Sequence, residues 1–171
     1  MGTPSLMAGP PLDDALLRQV NRRFVTGVTF VTVMDDGTPR GLAVNAFANI
    51  SLDPPIVMVC INRTSSTHDC LFTADHLAIN IASVEQMDVM ARFSAKGADK
   101  FVGVDWVPGP HGSPVLARSS AWMEVRIHER LQASTHTVFV CRVLAAGTSD
   151  EAPVVYSAGA FYGSTGLSPL V

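Results

Sequence analysis

"GVTFVTVMDDGTPRGLAVNAF", residues 27–47, reads as two strands folded about a turn. Threonine, valine and phenylalanine crowd its first half, and Asp36-Gly37 follows at once. That dipeptide is a strong hairpin signal, because both central residues of a type I′ turn need positive φ. Antiparallel pairing is therefore set locally. The same stretch raises a question at Asn45. An amide buried in an apolar strand without a partner costs roughly 2–7 kcal/mol, and the neighbours Ala43, Val44 and Ala46 offer it nothing polar.

Downstream, "IVMVCIN" (56–62) is a third strand, entered through Asp53-Pro54-Pro55, where proline fixes φ and ends pairing. "SSTHDCLF" (65–72) carries hydroxyls suited to capping a short helix. "LAINIA" (77–82) is another strand. "SVEQMDVMARF" (83–93) opens with a capping box, Ser83 with Gln86, and Val84, Met87, Met90 and Ala91 form its apolar stripe. "WMEVRIHERLQ" (122–132) alternates, with Met123, Val125, Ile127 and Glu129 on one face and Trp122, Glu124, Arg126 and His128 on the other. "HTVFVCRVLAAG" (136–147) and "PVVYSAG" (153–159) complete the strands. Upstream, residues 1–11 are rich in glycine and proline and read as a mobile arm. From Leu12 a helix carries Leu16, Leu17, Val20 and Phe24 on one face, with Asp13 and Asp14 at its positive end. Strands outnumber helices without βαβ alternation. The expectation is one mainly β domain over 12–171, an antiparallel barrel with a few short helices.

Hydrophobic residues make up 47% of the 171-residue chain and charged ones only 16%. One explanation for so little charge is surface covered by another subunit. The net charge of −3 and scattered basic residues argue against nucleic acid or an anionic membrane as partner. No signal-peptide layout or spanning apolar run is present, which makes the cytoplasm the expected compartment. The three cysteines, Cys60, Cys70 and Cys141, form no CxxC, so neither a disulfide framework nor a zinc site is expected. Phosphate-cradling glycine motifs, HExxH and the Gly-x-Ser-x-Gly elbow are all missing. No metal is expected.

What remains is a set of polar inserts in apolar strands: Thr26-Gly27, "AVNA" (43–46), "NRTSST" (62–67) and "DKF" (99–101). Small residues let a flat ring lie against backbone, an amide meets its polar edge, and hydroxyls with a lysine suit a phosphate. Each insert also has a plainer reading. Ser65, Ser66 and Thr67 make an ordinary cap, Lys100 a surface charge, and Asn45 a turn residue bonded to its own backbone.

The ordered series "RFVTGVTFVTVMDDGTPRGLAVNAFANISLDPPIVMVCIN", "SSTHDCL", "LAINIAS", "ARFSAKGADKF" and "SPVL" closely resembles the flavin reductase family, from about Leu12 to Tyr162. These are the small reductase components of two-component flavin-dependent monooxygenases. The resemblance implies a split-barrel fold, a homodimer with flavin near the subunit interface, and an oxygenase that receives reduced flavin. It also implies FMN or FAD as flavin and NADH or NADPH as co-substrate. Carried over by position, it puts Thr26, Gly27, Ala43, Val44, Asn45 and Ala46 around the isoalloxazine ring. Ser65, Ser66 and Thr67 fall at the phosphate and ribityl chain, Phe93 and Lys100 near the tail, and Ser51 within the binding set. His136 is the catalytic candidate, its plainer reading being a strand-start histidine facing solvent. The family's Gly-Asp before this histidine is Ser134-Thr135 here, so a neutral imidazole would donate a hydrogen bond to nicotinamide or flavin. Val25 stands where the family often has proline. His68, His76, His111 and His128 match no motif and are expected on the surface. Two other functions fit the same residues: a flavin-binding carrier or sensor without turnover, and a flavoenzyme acting directly on an organic substrate.

Overall fold

The computed structural model describes residues 13–97 and 99–170; the expected arm and Leu12 lie outside the described residues. The hairpin forms as read. β1 (Thr29–Asp35) and β2 (Thr38–Val44) pair antiparallel from Thr29↔Val44 to Asp35↔Thr38. Asp36 at φ 45° and Gly37 at φ 79° make the turn. The next element departs from expectation. Phe47–Leu52 is a strand of its own, β3, and the prolines turn it into β4 (Pro55–Asn62) with Leu52 paired to Pro55. Pro55 is the first residue of its strand, a position where a missing N–H is tolerated.

The helix α1 (Asp14–Asn21) precedes this core, with Asp13 accepting from the Leu16 N–H at 2.7 Å as N-cap. After β4 come α2 (His68–Thr73), β5 (His76–Ile81) and α3 (Met87–Ser94). The short strands β6 (Trp106–Pro108) and β7 (Pro114–Leu116) lead into the long hairpin of β8 (Ala121–Ala133) and β9 (His136–Thr148). A last hairpin, β10 (Val154–Ser157) with β11 (Ala160–Gly163), ends the sheet structure. No helix is long and apolar enough to cross a membrane among the described residues.

Seven strands form one antiparallel sheet in the order β2-β1-β5-β8-β9-β4-β3. Laid flat, its outer strands would stand about 29 Å apart at a spacing near 4.8 Å. Yet β2 and β3, the two edges, are joined only by Asn45 and Ala46. A link that short reaches at most about 11 Å. The sheet must therefore curl until its edges approach. They are not hydrogen-bonded to each other, so the expected barrel does not close.

Inside the curl, Val31, Val33, Val59, Ile61, Leu77, Ile79, Val125 and Phe139 are essentially fully buried. The opposite face of β1 carries Phe30, which packs edge-on against Phe93 of α3. β1 is thus buried on both faces. Cys141 sits in the inner core, where burial pushes its thiol up to about 12; all three cysteines are free.

Several expectations are corrected by packing. The capping box forms at Ser83 and Gln86, but on a short 3₁₀ turn ahead of α3. The buried stripe is Gln86, Val89, Met90 and Phe93, whereas Met87 and Ala91 face outward and Val84 is half-buried. On β8, bulges after Glu124 and at His128 break the strict alternation and leave Glu129 exposed, and Glu124 is fully buried. Glu124 anchors a loop instead, its carboxylate accepting from the backbone N–H of His111 and of Ser113, each at 2.8 Å. His68 is also buried, its Nε2 lying 2.9 Å from the Thr137 hydroxyl; His76 is half-buried against His111.

Candidate functional site

As an edge strand, β2 pairs only with β1. Alternate residues of an antiparallel strand turn both backbone groups to the same side. The Thr67 hydroxyl donates to the Gly41 carbonyl at 3.1 Å from outside the sheet. Gly41 and Ala43 therefore present their backbone away from β1, and Ala43 offers an N–H and C=O that are unpaired among the described residues along the open edge. An exposed edge of this kind is a ready template for a polar ligand or another chain.

A groove follows that edge. A cleft of about 480 Å³ lies between Ala43, Ser65, Ser66, Phe93 and Lys100. It shares Ala43 and Ser94 with a cleft of about 220 Å³ that reaches Val44, Asn45 and Tyr156. Asn45 and Tyr156 in turn border a third, of about 550 Å³, walled by Thr26, Ala46 and the α1 residues Arg18 and Val20. One trough thus runs from the hydroxyls and lysine to the Asn45 link.

The elements explain the placing. Gly41 lets α3 press close, for a Cβ there would stand 2.6 Å from the Phe93 ring. The α3 C-terminus supplies Ser94, and the Lys100 ammonium donates to the Phe93 carbonyl at 3.2 Å. Burial pushes that ammonium below the ordinary lysine range. The backbone of Thr26 bridges Tyr156 in both directions, at 3.0 and 2.7 Å. Its hydroxyl is buried and, among the described residues, has no hydrogen-bond partner.

The question at Asn45 resolves differently from its premise. Asn45 is exposed in the link between β2 and β3, and its carbonyl accepts from the Phe47 N–H. Its side-chain amide makes no hydrogen bond among the described residues, so it is available to a ligand. Thr67 is buried at the foot of the loop and holds Gly41, a supporting part. Gly27, Ser51 and His136 border none of the three clefts. Ser51 follows a bulge in β3. His136 pairs in register with Asn62, which does line the groove, and its Nδ1 lies 2.9 Å from the Thr135 hydroxyl. Tyr156, Ser94 and Phe161 also line the trough, and sequence reasoning misses them. Only the bridge between Thr26 and Tyr156, invisible in one chain's pattern, brings the last hairpin there.

The hydroxyl–lysine end suits a phosphate, and the free strand edge with an unpaired amide and hydroxyl suits a flat ring with polar edges. These residues fit a flavin. Residues 21–165 match the model of the flavin reductase like domain. The chain is 37% identical over 151 residues to the reductase component of 4-nitrophenol 4-monooxygenase/4-nitrocatechol 2-monooxygenase from Rhodococcus opacus, covering 88% of this chain and 81% of that protein. It is 39% identical over 138 residues to the FMN reductase (NADH) SmoA of Agrobacterium fabrum, covering 81% and 79%. The NADH:FAD oxidoreductase SgcE6 of Streptomyces globisporus, solved with NAD and FAD fragments, superimposes with a TM-score of 0.84 at 32% identity, covering 91% and 94%. The chain spans only about half of some relatives, 50% of one and 47% of another, and 54% of one solved structure.

Proposed function

Because the chain belongs to the flavin reductase-like domain family, we propose that it is an NAD(P)H-dependent flavin reductase supplying reduced flavin to a partner monooxygenase. The observation that carries this reading is the continuous trough along the free edge of β2. A flavin held there would supply the hydride-accepting chemistry, with NADH or NADPH as the hydride donor, and the difficult step would be the cofactor's own.

The chain's part is to bind, orient and polarise. Ala43 offers backbone groups to the ring's polar edge, where fixed dipoles stabilise developing negative charge without reorganising. Asn45 and the Thr26 hydroxyl add side-chain partners. Ser65, Ser66 and Lys100 hold the phosphate end, and the buried Phe93 supports that end from beneath. Val44 and Ala46 keep the wall low enough for a ring to approach, and His136 orients the nicotinamide from the side of Asn62. Gly27 and Ser51 lie outside the lining of the trough.

The curled, unclosed sheet is read as a split barrel over residues 12–171, working in the cytoplasm as a homodimer. Support for the dimer comes from α1, none of whose residues is buried. Val20 and Phe24 are 59% and 74% exposed and border the cleft of about 550 Å³. A second copy seated on α1 would cover them and complete the wall over the ring. Flavin titration followed by NADH oxidation on the purified protein tests the reading. Absence of flavin binding would remove it.

A further inference from the structure

Resting on that reading, we infer that the protein takes FAD in preference to FMN, with Arg40 recognising the second phosphate of the dinucleotide. The trough does not end at Lys100. Ser66, Gly97 and Lys100 are shared with a further cleft of about 210 Å³, which continues to Pro39, Arg40 and Phe101. Position along β2 gives the scale. From Asn45 to Arg40 the strand rises about 16 Å, so the two ends of the trough suit opposite ends of a long ligand.

A mononucleotide is used up where its single phosphate meets Ser65, Ser66 and Lys100. The cleft beyond would have no occupant, yet it carries a second cation. Arg40 approaches Asp35 only through Nε, at 3.8 Å, and its side chain is 47% exposed. The terminal N–H groups of its fork make no hydrogen bond among the described residues, and such a fork matches a phosphate bidentately. Asp99 also lines this cleft. Its Oδ1 accepts from the Phe101 N–H at 3.1 Å, which fixes the carboxylate where a ribose hydroxyl could donate to it. Pro39 gives the adenine an apolar wall, backed by Phe101 from the core beneath.

The test is fluorescence titration of the full protein and of Arg40→Ala with FAD, FMN and riboflavin. The wild type should bind FAD at least tenfold more tightly than FMN. Arg40→Ala should weaken FAD roughly tenfold, as loss of one partly solvated charge-assisted bond implies, and FMN less than twofold. ADP should displace FAD and leave riboflavin bound. Equal affinity for FAD and FMN in the wild type, or equal weakening of both in the variant, overturns the inference while leaving the flavin reading intact. Arg40→Lys, which keeps the charge and loses the fork, guards against a folding defect: it should recover only part of the FAD affinity, and full recovery would rule out bidentate recognition.

Discussion

Asn45 shows how one residue separates binding from folding. Its side chain is exposed and unpartnered among the described residues, so Asn45→Leu should leave the melting temperature within a degree or two while weakening flavin several-fold. A drop in melting temperature without a selective flavin defect would make Asn45 a turn residue only. Lys100 carries a pH signature. Burial already favours its neutral form, so its charge is lost below the ordinary 10.5. FMN affinity should therefore fall as pH rises through that lowered value, while riboflavin, which lacks the phosphate, should not respond. Ser134 is a third case. It holds φ 52°, a left-handed conformation that costs a non-glycine residue about 1–2 kcal/mol. Glycine carries no such cost, and Ser134→Gly should stabilise the fold by about 1 kcal/mol after the extra freedom of the unfolded chain is counted. A calorimetric melting temperature at or below the wild-type value would contradict that. His136→Ala should raise the KM for NADH two- to about tenfold with flavin Kd unchanged, the worth of one neutral hydrogen bond.

At the scale of elements, the hairpin was legible because its information is local. Asp36-Gly37 and the strands beside it specify the turn, its register and the edge strand that later forms the trough. β3 was not legible, since "ANISL" reads neither as a clean alternation nor as an apolar run. It is a strand because β4 offers a free side to pair with. The stripe of α3 was shifted for a similar reason: Phe93 is drawn to the gap beside Gly41 and Phe30, which lie far away in sequence. Gly41→Ala would force a Cβ to within 2.6 Å of Phe93 and 3.0 Å of the Val31 carbonyl. Overpacking of this kind costs about 1–3 kcal/mol, and because Phe93 underlies the trough and its carbonyl holds Lys100, stability and flavin affinity should fall together in chemical denaturation and titration. Of the site, the polar inserts could be read from sequence, but Tyr156 could not. Its place depends on the last hairpin folding back to Thr26.

For the whole molecule, the low charge fraction and the uncovered α1 are the features that the proposed homodimer would account for. Phe24→Asp should shift sedimentation from dimer to monomer and weaken flavin binding with it, because the wall beside Asn45 and Thr26 would be lost. Sedimentation that stays dimeric would place the interface elsewhere. The central claim, however, is turnover. The most direct measurement mixes the protein with NADH and excess free flavin and follows the nicotinamide absorbance band against a protein-free control. Many equivalents of NADH consumed per protein chain, with rate proportional to protein, is the result expected of a reductase. Tight flavin binding with no NADH or NADPH consumed above the control would contradict it and leave a carrier or sensor.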